Sequence, residues 1–253
     1  MEPPVLWHFP ISHFNEKARW ALDFKRIPHR RRALGPSYLL RAWWATGRAK
    51  LPVLFLNGQA IGDSTRIIEA LERYLPEPPL YPKAGSERRR ALMLEDFFDE
   101  NMGHPVRTAV LGPLFIQDPD AVVRIISTGM GEDARRGMRA IFPAFSAFYR
   151  FRHGIDPDTI KAAPGIIRAA LDRIEAELQP SGYLVGDGFS VADLTAAALF
   201  GPVVLPPEWP YPPPGPTPGP LIDLRASIER RPAYQWVIEM YRRHRGASQE
   251  LAA

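Results

Sequence analysis

A single hydroxyl stands where an apolar, strand-like stretch of the sequence gives way to a helical one. It belongs to Ser12, the first residue of the segment SHFNEKARWAL (12–22). A serine at this junction can cap the helix by accepting a hydrogen bond from a free backbone N–H, and its hydroxyl can also hold a ligand. The two roles do not exclude each other. The surrounding sequence therefore has to decide which chemistry is expected.

Composition excludes several chemistries. The chain has no cysteine, which rules out disulfides, thiolate metal sites and a cysteine nucleophile. Its six histidines are dispersed and form no pair of the HExxH type, so we expect no metal site. Arginine-rich segments at 25–32, 87–90 and 241–246 contribute to a net charge of +4. Because these segments are scattered and match no nucleic-acid-binding motif, we interpret them as solvated helix ends and expect no nucleic-acid partner.

Length and hydropathy indicate a globular protein. The 253 residues, of which 45% are apolar and 11% aromatic, suffice for one large domain or two smaller ones with a hydrophobic core. No apolar run approaches the roughly eighteen residues of a membrane span, and the N-terminus lacks the pattern of a signal peptide. The sequence therefore predicts a soluble, cytoplasmic protein with no membrane partner.

Up to residue 75 the sequence alternates between strand-like and helical patterns. The hairpin signal is the dipeptide Asn57-Gly58, which lies between two apolar runs. The predicted order is βαβ, then a β-hairpin, then α. The segments are strands at 4–9 and 29–34, a helix at 15–26, a loop or weak helix at 37–47, two strands within 51–62 and an amphipathic helix at 63–75.

Beyond residue 75 the pattern is almost entirely helical. The segment PEPPLYPKAGSE (76–87) contains four prolines and is typical of a linker. We therefore predict an N-terminal domain at 1–78, a linker at 79–86 and an all-helical domain at 87–253. The predicted helices of the second domain lie at 86–103, 134–151, 157–178, 190–200 and 223–244.

One proline-rich segment interrupts the helical domain. In LPPEWPYPPPGPTPGP (205–220), nine of sixteen residues are proline, which lacks the amide that helices and sheets require. This pattern predicts an extended, polyproline-like strap between the last two helices, packed across the helical domain. Recruitment of an SH3-like partner is the weaker alternative.

Three motifs, in this order, resemble the cytosolic glutathione transferase superfamily over nearly the whole chain. They are FPISHFNEKARWAL (9–22), AKLPVLFLNGQAIGDSTRIIEAL (49–71) and YLVGDGFSVADLTAAALF (183–200). The resemblance implies a thioredoxin-like N-terminal domain (βαβ-ββα) followed by an all-helical C-terminal domain. It implies glutathione as co-substrate, a small-molecule electrophile, a homodimer and a role in detoxification. Within the third motif, Ser190 and Asp193 form a capping box that we assign to folding.

The resemblance also assigns the residues that would bind glutathione. Pro52 stands at the position of the family's cis-proline, which would turn the backbone of Leu51 outward to pair with the ligand's cysteinyl backbone. Ser64, at the start of a helix, would hold the γ-glutamyl carboxylate or act only as an N-cap, and Asp63 would meet the ammonium group. Lys50 would reach the glycyl carboxylate.

Within this resemblance, Ser12 would hold the glutathione thiolate. Lowering the thiol pKa from about 8.5 by about two units requires roughly 2.7 kcal/mol. A hydroxyl donating to a charged acceptor supplies about 1.5–3 kcal/mol, and a helix N-terminus a little under about 1 kcal/mol. Because serine cannot form a mixed disulfide, thiol transfer is disfavoured, and conjugation, peroxide reduction or isomerisation remain. His13 replaces the family's usual proline, and we interpret it as solvent-facing rather than as a second donor.

The electrophile pocket is expected between the two domains. The leading hypothesis is a serine-type, bacterial-like glutathione transferase. The alternative is a non-catalytic member of the fold that binds glutathione or an apolar ligand, or acts as a scaffold. Trp43, Trp44 and Tyr74 are candidate dimer contacts, although burial in the core would explain them equally well. The residues expected to line the pocket are Ile11, Phe14, Met102, His104 and Arg107.

Overall fold

A computed structural model describes residues 2–35, 38–213 and 215–252. Its N-terminal part is a mixed four-stranded sheet in the order β2-β1-β3-β4. Strand β1 is parallel to β2 and antiparallel to β3, and β3 pairs with β4 across the predicted hairpin at Asn57 and Gly58. The elements are β1 (Val5–His8), α1 (His13–Phe24), β2 (Arg30–Ala33), α2 (Tyr38–Thr46), β3 (Val53–Leu56), β4 (Gln59–Gly62) and α3 (Ser64–Tyr74).

The rest of the chain is helical, so the predicted fold class, a thioredoxin-like sheet domain followed by helices, is confirmed. Helix α4 runs into a π-helical turn at Asp99–Gly103, and α5 follows without a break. No helix among the described residues is long and apolar enough to cross a membrane. The helices are α4 (Gly85–Phe98), α5 (His104–Leu111), α6 (Leu114–Gln117), α7 (Pro119–Ile126), α8 (Glu132–Ala140), α9 (Phe142–His153), α10 (Pro157–Glu177), α11 (Val191–Val204), α12 (Gly219–Ala226) and α13 (Pro232–His244).

Two of the predicted helices are each two helices in the structure. The segment predicted at 134–151 divides between α8 and α9, and the one at 223–244 divides between α12 and α13. In both cases a proline, Pro143 or Pro232, occupies the first turn of the second helix. Proline cannot donate the backbone hydrogen bond that would continue the preceding helix, so a new helix begins there.

Helix α1 lies between the sheet domain and the helical domain and is buried over nearly its whole length. Trp20 is fully buried, and its ring lies 4.4 Å from that of Tyr241 and 5.7 Å from that of Phe189. Trp20 Nε1 also donates a 2.9 Å hydrogen bond to the carbonyl of His244. A helix with no exposed face can carry charged residues only if each of them has a partner.

Several residues of the arginine-rich segments are buried in ion pairs, so their interpretation as solvated helix ends is wrong in part. Lys25 lies 2.6 Å from Glu72, and Asp23 accepts from Arg31 at 2.6 Å and from Arg245 at 2.8 Å. All three cations are almost fully buried. The segment at 87–90 is exposed, as predicted.

The end of the described chain returns to the sheet domain. Gln249 donates its backbone N–H to Asp23 Oδ1 at 2.8 Å, and Leu251 donates to the carbonyl of His29 at 2.8 Å. These bonds attach the C-terminal segment to α1 and to His29, the residue before the edge strand β2.

The aromatic residues of α2 lie on the surface. Trp43 is 52% exposed and Trp44 is 75% exposed, while Tyr74 at the end of α3 is 38% exposed. Core burial therefore does not explain them. Their role as dimer contacts stays a prediction.

Candidate functional site

A cavity of about 680 Å³ lies between the sheet domain and the helices. One wall is formed by the β1–α1 loop, the segment before β3 and the start of α3, and the opposite wall by α5, α7, α9 and the proline-rich strap. All six residues predicted to bind glutathione lie on the first wall: Ser12, Lys50, Leu51, Pro52, Asp63 and Ser64.

Ser12 immediately precedes α1, but its side chain does not cap the helix. Its backbone carbonyl accepts from the Glu16 N–H at 2.9 Å, as the residue before a helix must, while the hydroxyl makes no capping hydrogen bond. The expected side-chain cap is therefore wrong. The hydroxyl, which lies on the cavity wall, remains available to a ligand.

The buried guanidinium of Arg19 holds the Ser12 loop from behind. It donates to the carbonyls of Phe9, Pro10 and Ser12 at 3.3, 2.9 and 3.4 Å, and forms a 2.8 Å ion pair with Glu16. Because guanidinium has five N–H donors in a rigid plane, one side chain can fix several consecutive carbonyls of a loop.

His8 completes this support. Burial, followed by the nearby cations Arg19 and Arg31, lowers its pKa to about 2, so the imidazole is neutral near pH 7. Its Nδ1 can then accept from Arg19 at 2.9 Å.

His13 corrects the sequence interpretation. It is 4% exposed rather than solvent-facing, and its Nε2 lies 2.8 Å from the carbonyl of Gly103 at the end of the π-helical turn. Burial, with a smaller contribution from Arg107, holds the pKa of His13 well below its usual range. The neutral ring therefore donates Nε2–H to Gly103, and His13 connects α1 to the helical domain.

The segment before β3 has the geometry expected of the family's proline. The Leu51–Pro52 peptide bond is cis, and Pro52 accepts a 3.3 Å hydrogen bond from the Asp63 N–H. Asp63 has φ of 82°, and its Oδ1 accepts from the Thr65 N–H at 3.0 Å. The cap of α3 is therefore Asp63 and not Ser64, which is buried in the first helical turn. Lys50 is exposed at the rim.

A charged cluster beside the Asp63 and Ser64 subsite was not predicted. Lys17 is fully buried and lies 2.9 Å from Glu95 and 2.7 Å from Asp99, and it also donates to Thr65 Oγ1 at 2.9 Å. Asp99 lines the cavity, and its Oδ1 is buried without a hydrogen-bond partner among the described residues. The spacing of Glu95 and Asp99, four residues apart on a helix, is the one signal that could have indicated it.

Four of the five residues predicted for the electrophile pocket line the cavity: Ile11, Phe14, His104 and Arg107. Met102 does not, because it is 0% exposed and packs in the hydrophobic core. Phe14 lies against Gly103 so closely that a Cβ on Gly103 would be 2.3 Å from the ring. The close approach requires glycine at this position and fixes the Phe14 ring.

The proline-rich strap lines one side of the cavity rather than packing only across the helical domain. It begins with a turn at Pro206–Trp209, and its last two predicted residues already belong to α12. Tyr211 covers the Arg19 guanidinium, with the ring centroid 4.9 Å from Cζ, and lies 5.4 Å from the ring of His8. Pro214 lies outside the described residues.

Comparison with known proteins gives the family. Residues 6–79 match the family model described as "Glutathione S-transferase, N-terminal domain", and residues 157–233 match "Glutathione S-transferase, C-terminal domain". The chain belongs to the glutathione transferase superfamily. No curated protein matches it in sequence.

Solved structures share the fold at low sequence identity. A glutathione S-transferase from Methylobacterium radiotolerans JCM 2831, in complex with glutathione sulfonate, is 22% identical with a TM-score of 0.56, over 94% of this chain and 95% of that one. A glutathione transferase homolog from Sulfitobacter with bound glutathione is 12% identical with a TM-score of 0.58, over 95% and 92%. The beta-etherase LigF from Sphingobium sp. strain SYK-6 is 20% identical with a TM-score of 0.59, over 94% and 99%.

Proposed function

We propose that this glutathione transferase relative binds glutathione along the first cavity wall and uses its thiolate to attack a small electrophile, with Ser12 stabilising the sulfur. The observation that carries the proposal is the convergence of a Ser12 hydroxyl that does not cap α1, a cis Leu51–Pro52 bond and the N-terminus of α3 on one cavity.

Each subsite suits one part of the tripeptide. The exposed backbone beside Pro52 would pair with the cysteinyl unit as an added strand. The first turn of α3 offers free N–H groups and the positive end of the helix dipole to the γ-glutamyl carboxylate. Asp63 and Asp99, whose Oδ1 has no hydrogen-bond partner within the described part of the chain, would receive the γ-glutamyl ammonium group. Lys50 would pair with the glycyl carboxylate at the rim.

The Ser12 hydroxyl would lower the thiol pKa by donating a hydrogen bond to the sulfur anion. This contribution is about 1.5–3 kcal/mol, or one to two pKa units. The thiol proton leaves to solvent, and the sulfur electron pair forms a bond to an electrophilic carbon. A leaving group departs with its bonding electrons, or in an addition the resulting carbanion takes a proton from water.

The test combines binding with the pKa of the bound thiol. The wild type, Ser12→Ala and Asp63→Ala are titrated calorimetrically with glutathione, and the thiolate of the complex is followed by ultraviolet absorbance against pH. We expect Ser12→Ala to raise the bound-thiol pKa by about one to two units with little change in affinity. Asp63→Ala should weaken binding instead.

Three outcomes separate this proposal from its rivals. An unchanged thiol pKa in Ser12→Ala would show that Ser12 is not the stabilising donor. Binding of glutathione with no turnover of any electrophile would favour a non-catalytic member of the fold. No binding by the folded wild type would remove glutathione from the proposal.

A further inference from the structure

Five lysines and arginines line the cavity, and among the described residues only Arg124 of these forms an ion pair, with Asp118, while Arg48, Lys50, Arg107 and Arg152 form none. Arg107, on α5, lines the cavity, and within the described chain no carboxylate oxygen lies within 4.0 Å of its guanidinium nitrogens. Its Nη1 instead donates to Nδ1 of His104 at 3.2 Å and to Nδ1 of His153 at 3.0 Å. An arginine held by two neutral acceptors keeps its full charge and has further donors to offer.

The neighbouring histidines do not supply charge of their own. Burial, followed by Arg107 and Arg152, lowers the pKa of His153 to about 3, and burial followed by Arg107 also lowers the pKa of His104. Both rings are therefore neutral near pH 7. They position the guanidinium without neutralising its charge, so the electrostatic potential at this part of the cavity stays positive.

The acidic residues of the cavity are engaged elsewhere or lie at its rim. Asp99 pairs with Lys17, and Asp63 caps α3. Glu100 is exposed and forms no ion pair with Arg107. An anion entering beside Arg107 would thus meet a cation whose charge no protein group has satisfied.

The expected site of the glycyl carboxylate lies near Arg107, because the charge of Lys50 contributes to the lowered pKa of both histidines that contact Arg107. That site is assigned to Lys50, near which Arg152 donates to the carbonyl of Ala49. The Arg107 guanidinium carbon also lies 5.8 Å from the ring centroid of Phe14, two residues after Ser12. Arg107 therefore lies beside the first turn of α1 as well as near Lys50. The apolar surface beyond it is formed by Val110, Leu111, Ile125, Phe145 and Tyr149.

We propose that Arg107 is an anion subsite for the electrophile, so that the preferred substrates carry a carboxylate or similar anionic group on an apolar body. This inference rests on the proposed function, because it places the anion beside the glutathione thiolate. Arg107 acts as a binding and orienting residue. Its ion pair with the substrate would fix which carbon faces the sulfur.

The experiment compares two glutathione conjugates of equal length. S-(5-carboxypentyl)glutathione and S-hexylglutathione are titrated calorimetrically into the wild type, Arg107→Leu and Arg107→Lys. The matched control is Arg136→Leu, which removes an exposed arginine of α8 that pairs with Asp133. The wild type should bind the carboxylate conjugate more tightly. Arg107→Leu should weaken that conjugate by roughly ten- to a hundredfold and S-hexylglutathione by less than about threefold. Arg107→Lys should lose less affinity for the carboxylate conjugate than Arg107→Leu does.

Four other results would overturn the inference, and each has a different meaning. Equal weakening of both conjugates by Arg107→Leu would mean that Arg107 contacts glutathione itself. Equal affinity in the wild type and Arg107→Leu would mean that it binds no ligand group. A wild type that prefers S-hexylglutathione tenfold would refute the subsite without any variant, even if Arg107→Leu failed to fold. Failure of glutathione and both conjugates to bind the folded wild type would refute the proposed function and the subsite with it.

Discussion

Replacing Lys17 by methionine tests how strongly buried charge holds the two parts of the molecule together. Lys17 lies on α1, and its ammonium group contacts Glu95 on α4, Asp99 on the π-helical turn and Thr65 on α3. Methionine keeps the apolar stem and the approximate length of the side chain. The substitution therefore removes the charge while changing the packing little.

The expected magnitude follows from the burial of the cluster. Burial alone would lower the pKa of Lys17, but the carboxylates of Glu95 and Asp99 outweigh it and raise the pKa, so Lys17 is charged near pH 7. Without the ammonium group, the Glu95 carboxyl group, which is 2% exposed, loses the cation that lies 2.9 Å from it and has little contact with water. Breaking a buried ion pair in this way costs about 3–5 kcal/mol of unfolding free energy.

Urea denaturation, followed by tryptophan fluorescence and far-ultraviolet circular dichroism, measures this loss. Lys83→Met is the matched control, because Lys83 pairs with Glu77 at 3.1 Å on the surface, and it should change the stability by less than about 1 kcal/mol. The double variant Lys17→Met/Glu95→Gln should be more stable than Lys17→Met alone, since it removes one uncompensated carboxylate.

Two results would refute this account of the cluster. One is a loss below about 1 kcal/mol in Lys17→Met, which would mean that Glu95 and Asp99 are satisfied without the lysine. The other is a double variant whose losses simply add, because additivity would show that Lys17 and Glu95 do not interact energetically.

Two further predictions concern the helical domain. In Gly201→Ala the new Cβ would lie 2.2 Å from Trp209 and 2.6 Å from the Tyr241 hydroxyl. We therefore expect urea denaturation to show a loss of about 1–3 kcal/mol of unfolding free energy, and calorimetry to show weaker binding of S-hexylglutathione. The control is Gly165→Ala, whose new Cβ would have no atom within 4 Å. Burial raises the pKa of Asp193 from 3.8 to about 6, so folding takes up a proton in this range. Its contribution to the unfolding free energy should therefore fall by about 3 kcal/mol as the pH rises from about 4 to 6, and Asp193→Asn should remove this slope in denaturation curves at several pH values.

Local signals predicted the order of elements in the sheet domain. Asn57-Gly58 is sufficient for a hairpin because few residues other than asparagine and glycine adopt the positive φ that both have here, 50° and 79°. Pro143 and Pro232 mark helix starts for an equally local reason, yet the periodic pattern continues across them. The sequence analysis therefore merged helices that the missing N–H separates.

Burial of polar residues could not be predicted, because it depends on partners far along the chain. The sequence pattern of His13 is that of a surface residue, but its ring donates a hydrogen bond to the carbonyl of Gly103, ninety residues later. Arg245 donates hydrogen bonds to the carboxylates of Glu16 and Asp23, which lie more than two hundred residues away in the sequence. The strap presents the same difficulty. Its prolines disfavour strands and helix interiors, but nothing in them indicates that Tyr211 will cover Arg19.

The candidate site and the contact between the two parts of the molecule share their supporting side chains. The loop that carries Ser12 is held by Arg19, which Tyr211 of the strap covers. The first turn of α1 is held to Gly103 by His13, and its second turn to Asp99 by Lys17. The sheet domain supplies the Ser12 hydroxyl and Arg19, which holds the Ser12 backbone, while groups of the helical domain contact Arg19, His13 and Lys17. Any change that moves the π-helical turn or the strap should therefore displace the hydroxyl, even without touching the residues of the first cavity wall.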